Sequence, residues 1–167
     1  MKKFFFFDID GTLTNDNPGG IVLPSTFKTL DKLRANGHFV AIATGRAHWM
    51  AMEFSKTSKI DNLVCDGGNR LVINGKLLGI EPLNREICLE IIDECLENHF
   101  PFAVSLGDNP QLYSCNDWIN GYHLPGDLII DETLDFHQVD QIFKIFIMAT
   151  PKQESLLKSI HKLGYMR

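Results

Sequence analysis

Two acidic residues, Asp8 and Asp10, stand one residue apart directly after a run of four phenylalanines at positions 4–7. On an extended chain alternate side chains point to the same side, so both carboxylates face one way with Ile9 between them. Two carboxylates this close repel each other unless a cation or a shared proton intervenes. The pattern therefore predicts a site for a divalent metal ion and an anionic substrate.

Polar residues also follow the next two apolar runs of the sequence. Thr44-Gly45-Arg46 comes after residues 38–43, and Asp66 comes after residues 63–65. The Thr44 hydroxyl and the amides after it are suited to hold a phosphate oxygen. Arg46 could add a bidentate contact, although a plain surface arginine is almost as reasonable an interpretation. The segment Asp66-Gly67-Gly68-Asn69 is most economically a flexible turn, with a place at the site as a secondary possibility.

The elements needed to position these residues alternate between strand and helix. Strands are predicted at 4–8, 38–43 and 63–65, with a helix capped by Ser25 that ends at Asn36-Gly37 and another over 47–58. This alternation predicts a parallel sheet with right-handed crossovers, and its continuous apolar runs predict strands covered on both faces. Ligands of such sheets bind beyond the carboxyl ends of the strands, where the polar residues converge.

The second half of the sequence predicts an α+β module with a mainly antiparallel sheet. A hairpin turns at Asn74-Gly75, and a helix over 86–98 carries apolar residues at helical spacing. Further strands are predicted at 102–106, 111–115 and 144–149, and a last helix over 152–163 that ends at Gly164.

Composition limits the possible functions. The 167 residues are 44% hydrophobic with a net charge of −5, which indicates a globular protein and disfavours nucleic acid as a partner. No apolar run approaches the length of a membrane span. The cysteines form no CxxC pair and are interpreted as reduced thiols of a cytoplasmic protein; they are Cys65, Cys88, Cys95 and Cys115.

Other candidate motifs favour ordinary structural roles. An EF-hand loop beginning at Asp8 would need glycine and glutamate where Leu13 and Gly19 stand. Asp108 lies in a Gly-Asp-Asn-Pro turn. Trp118, Tyr122 and His123 could touch a substrate, but a packing role is at least as plausible. The remaining histidines lack partners at metal-ligand spacing; they include His99, His137 and His161.

The sequence resembles the haloacid dehalogenase-like (HAD) superfamily of hydrolases. DIDGTL at 8–13 is similar to the first motif of that superfamily, and ATGR at 43–46 to its second. The spacing, the LPSTFKTLDKLRANG helix and the VCDGGN turn resemble the Cof-type sugar-phosphate phosphatases. The resemblance covers essentially the whole chain. It implies a partial Rossmann-like core at residues 1–82 and an inserted α/β cap at 83–167.

The resemblance implies a role for each matching residue. Asp8 is the nucleophile that forms an aspartyl-phosphate, and Asp10 is the general acid and base. Thr44, with Gly11, Gly45 and Arg46, binds the phosphate of a small phosphorylated metabolite. Mg²⁺ is held by the Asp8 carboxylate and the Asp10 backbone carbonyl. The cap closes over the site and selects the substrate.

The resemblance is incomplete at its downstream end. The third-motif lysine and the fourth-motif acidic pair of the superfamily do not appear in the 167 residues. The favoured expectation is therefore a fragment or truncated product with little phosphatase activity by itself. The alternatives are completion by another chain, with self-association through an exposed apolar edge at positions 4–8, and an inactive relative that binds phosphorylated ligands. A sugar-phosphate mutase is a further alternative that uses the same two acids.

Overall fold

The computed structural model describes residues 1–15 and 20–163. The chain divides into two compact units, Met1–Glu81 and Pro82–Arg167. Each unit has a hydrophobic core of its own.

The first unit alternates strands and helices and then ends in a hairpin. Its elements are β1 (Phe4–Phe7), α1 (Pro24–Ala35), β2 (Phe39–Ala43), α2 (His48–Ser58), β3 (Leu63–Cys65), β4 (Arg70–Ile73) and β5 (Lys76–Ile80). They form one sheet in the order β1-β2-β3-β4-β5, parallel from β1 to β3 and antiparallel from there to β5. The predicted α/β class with a parallel sheet is confirmed, and the hairpin extends the same sheet.

Strand β1 lies at one edge of this sheet. Its neighbour is β2, and among the described residues no strand pairs with its other side. The side chains of Phe4 and Phe6, on one face of the sheet, are 63% and 56% exposed. The prediction that this run is covered on both faces is wrong, and the prediction of an exposed apolar edge is confirmed.

Helix α1 begins two residues earlier than a cap at Ser25 predicts. Pro24 occupies its first turn, where a missing N–H costs nothing, and Leu23 is the capping residue without a side-chain hydrogen bond. Ser25 is therefore not the cap. The predicted end at Asn36 is confirmed, and Gly37 takes the left-handed conformation with φ of +74° that stops the helix.

The second unit places helices against a four-stranded sheet in the order β8-β7-β6-β9. Only the β7–β8 pair in this sheet is parallel. The predicted apolar face of α3 is buried with β6 in the core of the unit. The elements are α3 (Arg85–Glu97), β6 (Phe102–Ser105), β7 (Gln111–Ser114), β8 (Asp127–Ile130), β9 (Lys144–Ile147) and α4 (Pro151–Glu154).

Two predictions for the second unit fail. Strand β8 was not predicted, and the last helix is wrong because α4 ends at Glu154 and only a short helical turn, Ile160–Lys162, follows. Ser159 explains the break, since its N–H and hydroxyl donate to the carboxylates of Glu90 and Glu94 on α3. The predicted end at Gly164 lies outside the described residues.

No helix within residues 1–15 and 20–163 has the length and apolar character needed to cross a membrane.

Candidate active site

Three neighbouring strands of the first unit end at the same edge of the sheet. The register pairs Phe7 of β1 with Ile42 of β2, and Ala43 of β2 with Val64 of β3. The residues that follow these strands, Asp8, Thr44 and Asp66, therefore come together, as the sequence predicted. Main-chain hydrogen bonds of 2.9 Å join the loops, from Thr44 N to the Val64 carbonyl and from Asp66 N to the Arg46 carbonyl.

The turn after β1 presents its two carboxylates outward. Asp8 and Asp10 keep extended backbone angles, while Ile9 between them is fully buried. Gly11 then reverses the chain with φ of +74°, a conformation that favours glycine. Thr14 stabilises the turn, because its Oγ1 accepts from the Gly11 N–H at 3.2 Å and donates to the Ile9 carbonyl at 3.0 Å.

The carboxylate of Asp8 is exposed at the end of β1. Within the part of the chain that the structure describes, it takes part in no hydrogen bond or ion pair. The main-chain carbonyl of Asp8 accepts a hydrogen bond from the Leu13 N–H at 3.3 Å. The side chain is thus left available to a ligand.

Asp10 is held by Arg46 in a bidentate ion pair. Nε of Arg46 donates to one carboxylate oxygen of Asp10 at 2.8 Å, and a terminal guanidinium nitrogen donates to the other at 2.5 Å. The two side chains retain 19% and 24% of their exposure, so the pair is only partly shielded from water. The hydrogen bond to Asp10 raises the pKa of Arg46 above its ordinary value, burial opposes this, and the charges of Asp10 and Asp8 add to it. Both acids therefore act electrostatically on one arginine.

Thr44 is buried at the end of β2, with 7% of its surface exposed. Its Oγ1 accepts the Arg46 N–H at 3.2 Å, which fixes the start of the loop before α2. Among the described residues no protein group accepts the hydroxyl hydrogen of Thr44. That hydrogen is available to an anion oxygen.

The sequence missed the environment of Asp66. Asp66 is buried, has φ of +51°, and pairs with Nε of Arg70 at 2.9 Å, with side-chain exposures of 5% and 2%. The predicted turn is confirmed as a short helical turn over Asp66–Gly68, and its flexibility stays a prediction. A signal was present in the sequence, because Arg70 is a charged residue opening an otherwise apolar strand and stands four residues after an acid.

The donor groups at this edge fit a hard divalent cation. Asp8 offers a free carboxylate and Asp10 a main-chain carbonyl, and both are oxygen ligands of the kind Mg²⁺ prefers. No group of three or more His, Cys, Asp or Glu side chains that could hold a metal ion exists among the described residues. Mg²⁺ commonly binds with one or two protein carboxylates and takes its other ligands from water and substrate phosphate. The site therefore fits Mg²⁺ better than it fits a metal that needs a closed protein cage.

The other sequence candidates lie in the second unit and make local contacts. The ring of His99 stacks on Trp118 with centroids 5.0 Å apart, which supports the packing interpretation. Nε2 of His137 lies 3.1 Å from Asp93. Tyr122 is half exposed.

Comparison with known proteins identifies the family. The family model of the haloacid dehalogenase-like hydrolases matches residues 5–163. YkrA of Bacillus subtilis (strain 168), provisionally named a phosphatase, is 24% identical over 169 residues that cover 99% of this chain and 65% of YkrA.

Solved structures share the fold. A hypothetical protein from Geobacillus kaustophilus HTA426 is 25% identical with a TM-score of 0.70, and the match covers 93% of this chain and 60% of that one. The HAD subclass IIB sugar phosphatase BT4131 is 22% identical with a TM-score of 0.71, over 96% of this chain and 64% of that one. This chain thus spans less than two thirds of the length of these relatives.

Proposed function

The chain belongs to the haloacid dehalogenase-like hydrolases, and we propose that it is a Mg²⁺-dependent phosphomonoester hydrolase acting on small phosphorylated metabolites. We assign residues 1–82 to the catalytic core and residues 83–167 to the cap that selects the substrate. Four free cysteines suit a reducing compartment, so we place the activity in the cytoplasm.

One observation supports this proposal most strongly. The Asp8 carboxylate is exposed and has no partner within the described residues, beside a second acid that is fully paired with Arg46. Asp8 follows a strand at the edge where ligands of such sheets bind, and its carboxylate can be reached by a substrate from solvent. An unpaired carboxylate next to a partnered one suits a nucleophile and its acid–base partner.

We assign the attack on phosphorus to Asp8. A carboxylate oxygen of Asp8 forms a bond to phosphorus as the bond from phosphorus to the alcohol oxygen breaks, which leaves an aspartyl-phosphate. Asp10 delivers a proton to the departing alkoxide. Water then attacks the phosphorus and gives a proton to Asp10, which releases inorganic phosphate and restores Asp8.

Asp10 must be freed before it can carry a proton, because Arg46 now occupies both of its oxygens. A phosphate dianion is a competing partner for a guanidinium and accepts the same bidentate geometry. We infer that the arriving phosphate draws Arg46 away from Asp10. Thr44, Gly45 and Gly11 would then bind phosphate oxygens through the hydroxyl and main-chain N–H groups.

Asp8 and the main-chain carbonyl of Asp10 would hold Mg²⁺. When bound, this ion would offset the repulsion between the anionic nucleophile and the anionic substrate. Sugar phosphates are the substrate class that we favour, because BT4131, which has the same fold, is a sugar phosphatase.

Trapping of a phosphate mimic tests the function. Beryllium fluoride with Mg²⁺ should form an adduct on Asp8, seen by fluorine NMR, and Asp8→Asn should abolish it. Asp61→Asn, at an exposed acid of the same unit, should leave it unchanged. Hydrolysis of a generic phosphate ester by this chain should be slow, because the third-motif lysine and the fourth-motif acidic pair that the resemblance implies do not appear in the 167 residues.

Failure of the wild-type chain to form the adduct, or its persistence in Asp8→Asn, would refute the enzyme assignment. The second candidate function, a phosphate-binding protein, is favoured by the Arg46–Asp10 pair, which withholds the proposed acid. Phosphate binding that ignores both Mg²⁺ and Asp8→Asn would establish it.

A further inference from the structure

Asparagine stands directly before glycine at three places in the chain, residues 36–37, 74–75 and 120–121. In such a pair the main-chain nitrogen of the glycine can attack the side-chain amide carbon of the asparagine, because glycine has no Cβ to obstruct the approach. The asparagine is exposed at all three places. A Cβ added at any of the three glycines would meet no atom within 4 Å, so the space around each pair is open. Sequence and exposure therefore do not distinguish the three pairs.

The main-chain N–H of the glycine does distinguish them. Gly37 N donates to the Arg34 carbonyl at 2.9 Å. Gly75 N donates to the Asp61 carbonyl at 2.7 Å. Gly121 N donates to no group among the residues that the structure describes. A bonded N–H must first break its hydrogen bond before the nitrogen can lose its proton and turn toward the side chain, whereas Gly121 N is free to react.

The elements around the three asparagines favour the same order. Asn36 caps the end of α1, and Asn74 lies in the tight turn between β4 and β5. Asn120 lies in the longer segment that joins β7 to β8. Within the described part of that segment its side-chain amide makes no hydrogen bond. A connecting segment opens at lower cost than a helix end or a hairpin turn, so the reactive geometry is reached more often at Asn120.

We propose that Asn120 is a site of spontaneous deamidation and that it reacts before Asn36 and Asn74. Hydroxide removes the proton of Gly121 N, and this nitrogen forms a bond to Cγ of Asn120. The bond from Cγ to Nδ2 breaks and ammonia leaves with a proton from water, which closes a succinimide ring and restores the hydroxide. Water then opens the ring at either carbonyl carbon and leaves aspartate or isoaspartate. The net reaction consumes water and releases ammonia, and it does not rest on the proposed catalytic function.

Either product changes the segment in which it forms. Both carry a negative charge where Asn120 is neutral, and isoaspartate also lengthens the main chain by one carbon. Ile119 is fully buried on one side of the reacting pair. Tyr122 N donates to the Ile119 carbonyl at 3.3 Å across that pair. The longer main chain should break this hydrogen bond and displace Tyr122, which is half exposed.

Peptide mapping by mass spectrometry tests the assignment on the 167-residue chain. The folded chain is kept at mildly alkaline pH in heavy-oxygen water, which labels only the ring opening that occurs during this incubation. Asn120 should deamidate roughly fivefold faster, or more, than Asn36 or Asn74, the factor that one ordinary hydrogen bond on the glycine N–H supplies. In denaturant the three sites should react at similar rates, because the protecting hydrogen bonds are then lost.

Two variants provide a matched pair for the intact protein. Asn120→Gln should remove the early mass gain, because glutamine would have to close a larger ring. Asn74→Gln makes the same change at another exposed asparagine and should leave the early mass gain unchanged. The proposal is overturned if Asn36 or Asn74 reacts as fast as Asn120 in the folded chain. It is also overturned if the early mass gain persists in Asn120→Gln, or if denaturant leaves the ratio of the rates unchanged.

Discussion

Arg46 is the residue whose role the structure changes most. The sequence offered it as a phosphate ligand or a plain surface cation, whereas in the structure its Nε and one terminal nitrogen both donate to Asp10. An anion that enters the site must therefore compete with a carboxylate that is already in place. The pair keeps one positive charge beside two acids, which lowers the repulsion that an approaching phosphate meets.

Removing Arg46 should weaken phosphate binding. Arg46→Met leaves Asp8 and Asp10 without their shared cation, so the affinity for inorganic phosphate at fixed Mg²⁺ should fall by roughly tenfold or more. Titration calorimetry measures this directly. Arg34→Met, at an arginine that pairs with Asp31 on the surface, is the matched control and should bind phosphate like wild type. Equal affinities for the two variants would remove Arg46 from the site.

At this scale the sequence predicted where the site residues lie but not their partners. Asp8, Asp10 and Thr44 converge because parallel strands end at one edge, and that follows from the order of elements alone. The Arg46–Asp10 contact depends on the paths of the loops after β1 and β2. The spacing of apolar residues, which predicts helices and strands, does not predict the path of a loop. The burial of Asp66 was not predicted, because its partner, Arg70, stands in the following strand.

Among the elements, those with a regular local sequence pattern were predicted correctly. The apolar spacing of α3 and the Asn74-Gly75 turn were predicted correctly, since each depends on local backbone geometry. The predicted last helix failed because Ser159 bonds to two glutamates on α3, a contact between residues far apart in the chain. Strand β8 was not predicted, although it is as long as the other three strands of its sheet.

Helix α3 carries two thiols that should make the second unit sensitive to high pH. Burial raises the pKa of Cys88 to about 11, and burial together with the charge of Glu94 raises that of Cys95 to about 12. An unfolded thiol ionises near pH 9, so the folded state retains these protons to higher pH than the unfolded state. Their contribution to stability is complete below pH 9 and is lost as the pH rises through 11.

The free energy of unfolding, measured by denaturant titration from pH 8 upward, should therefore fall more steeply in wild type than in Cys88→Ala/Cys95→Ala. Cys115→Ala is the comparison variant, because burial raises the pKa of Cys115 by less and its effect on the slope should be smaller. Identical slopes in wild type and the double variant would show that the α3 thiols do not ionise differently on unfolding.

At the scale of the whole chain, each of the two units has its own hydrophobic core. The residues of the candidate site all lie in Met1–Glu81, where the buried core is built from the turn after β1, strands β2, β3 and β4, and helices α1 and α2. The core of Pro82–Arg167 is built around α3 and β6. Because each core consists of residues from its own unit, damage to one core should remain local.

The Asp66–Arg70 pair provides a test of that independence. Removing one member of a buried ion pair leaves an uncompensated charge, so Arg70→Met should destabilise the first unit by about 3–5 kcal/mol. Arg34→Met removes a surface ion pair with Asp31 and an exposed hydrogen bond to the Lys59 carbonyl, and should cost less, about 1 kcal/mol. Hydrogen exchange followed by mass spectrometry should show faster exchange in β2 and β3 of Arg70→Met, with α3 and β6 unchanged. Equally faster hydrogen exchange in both units would mean that the units unfold together. A substitution that destabilises the site would then also destabilise the second unit.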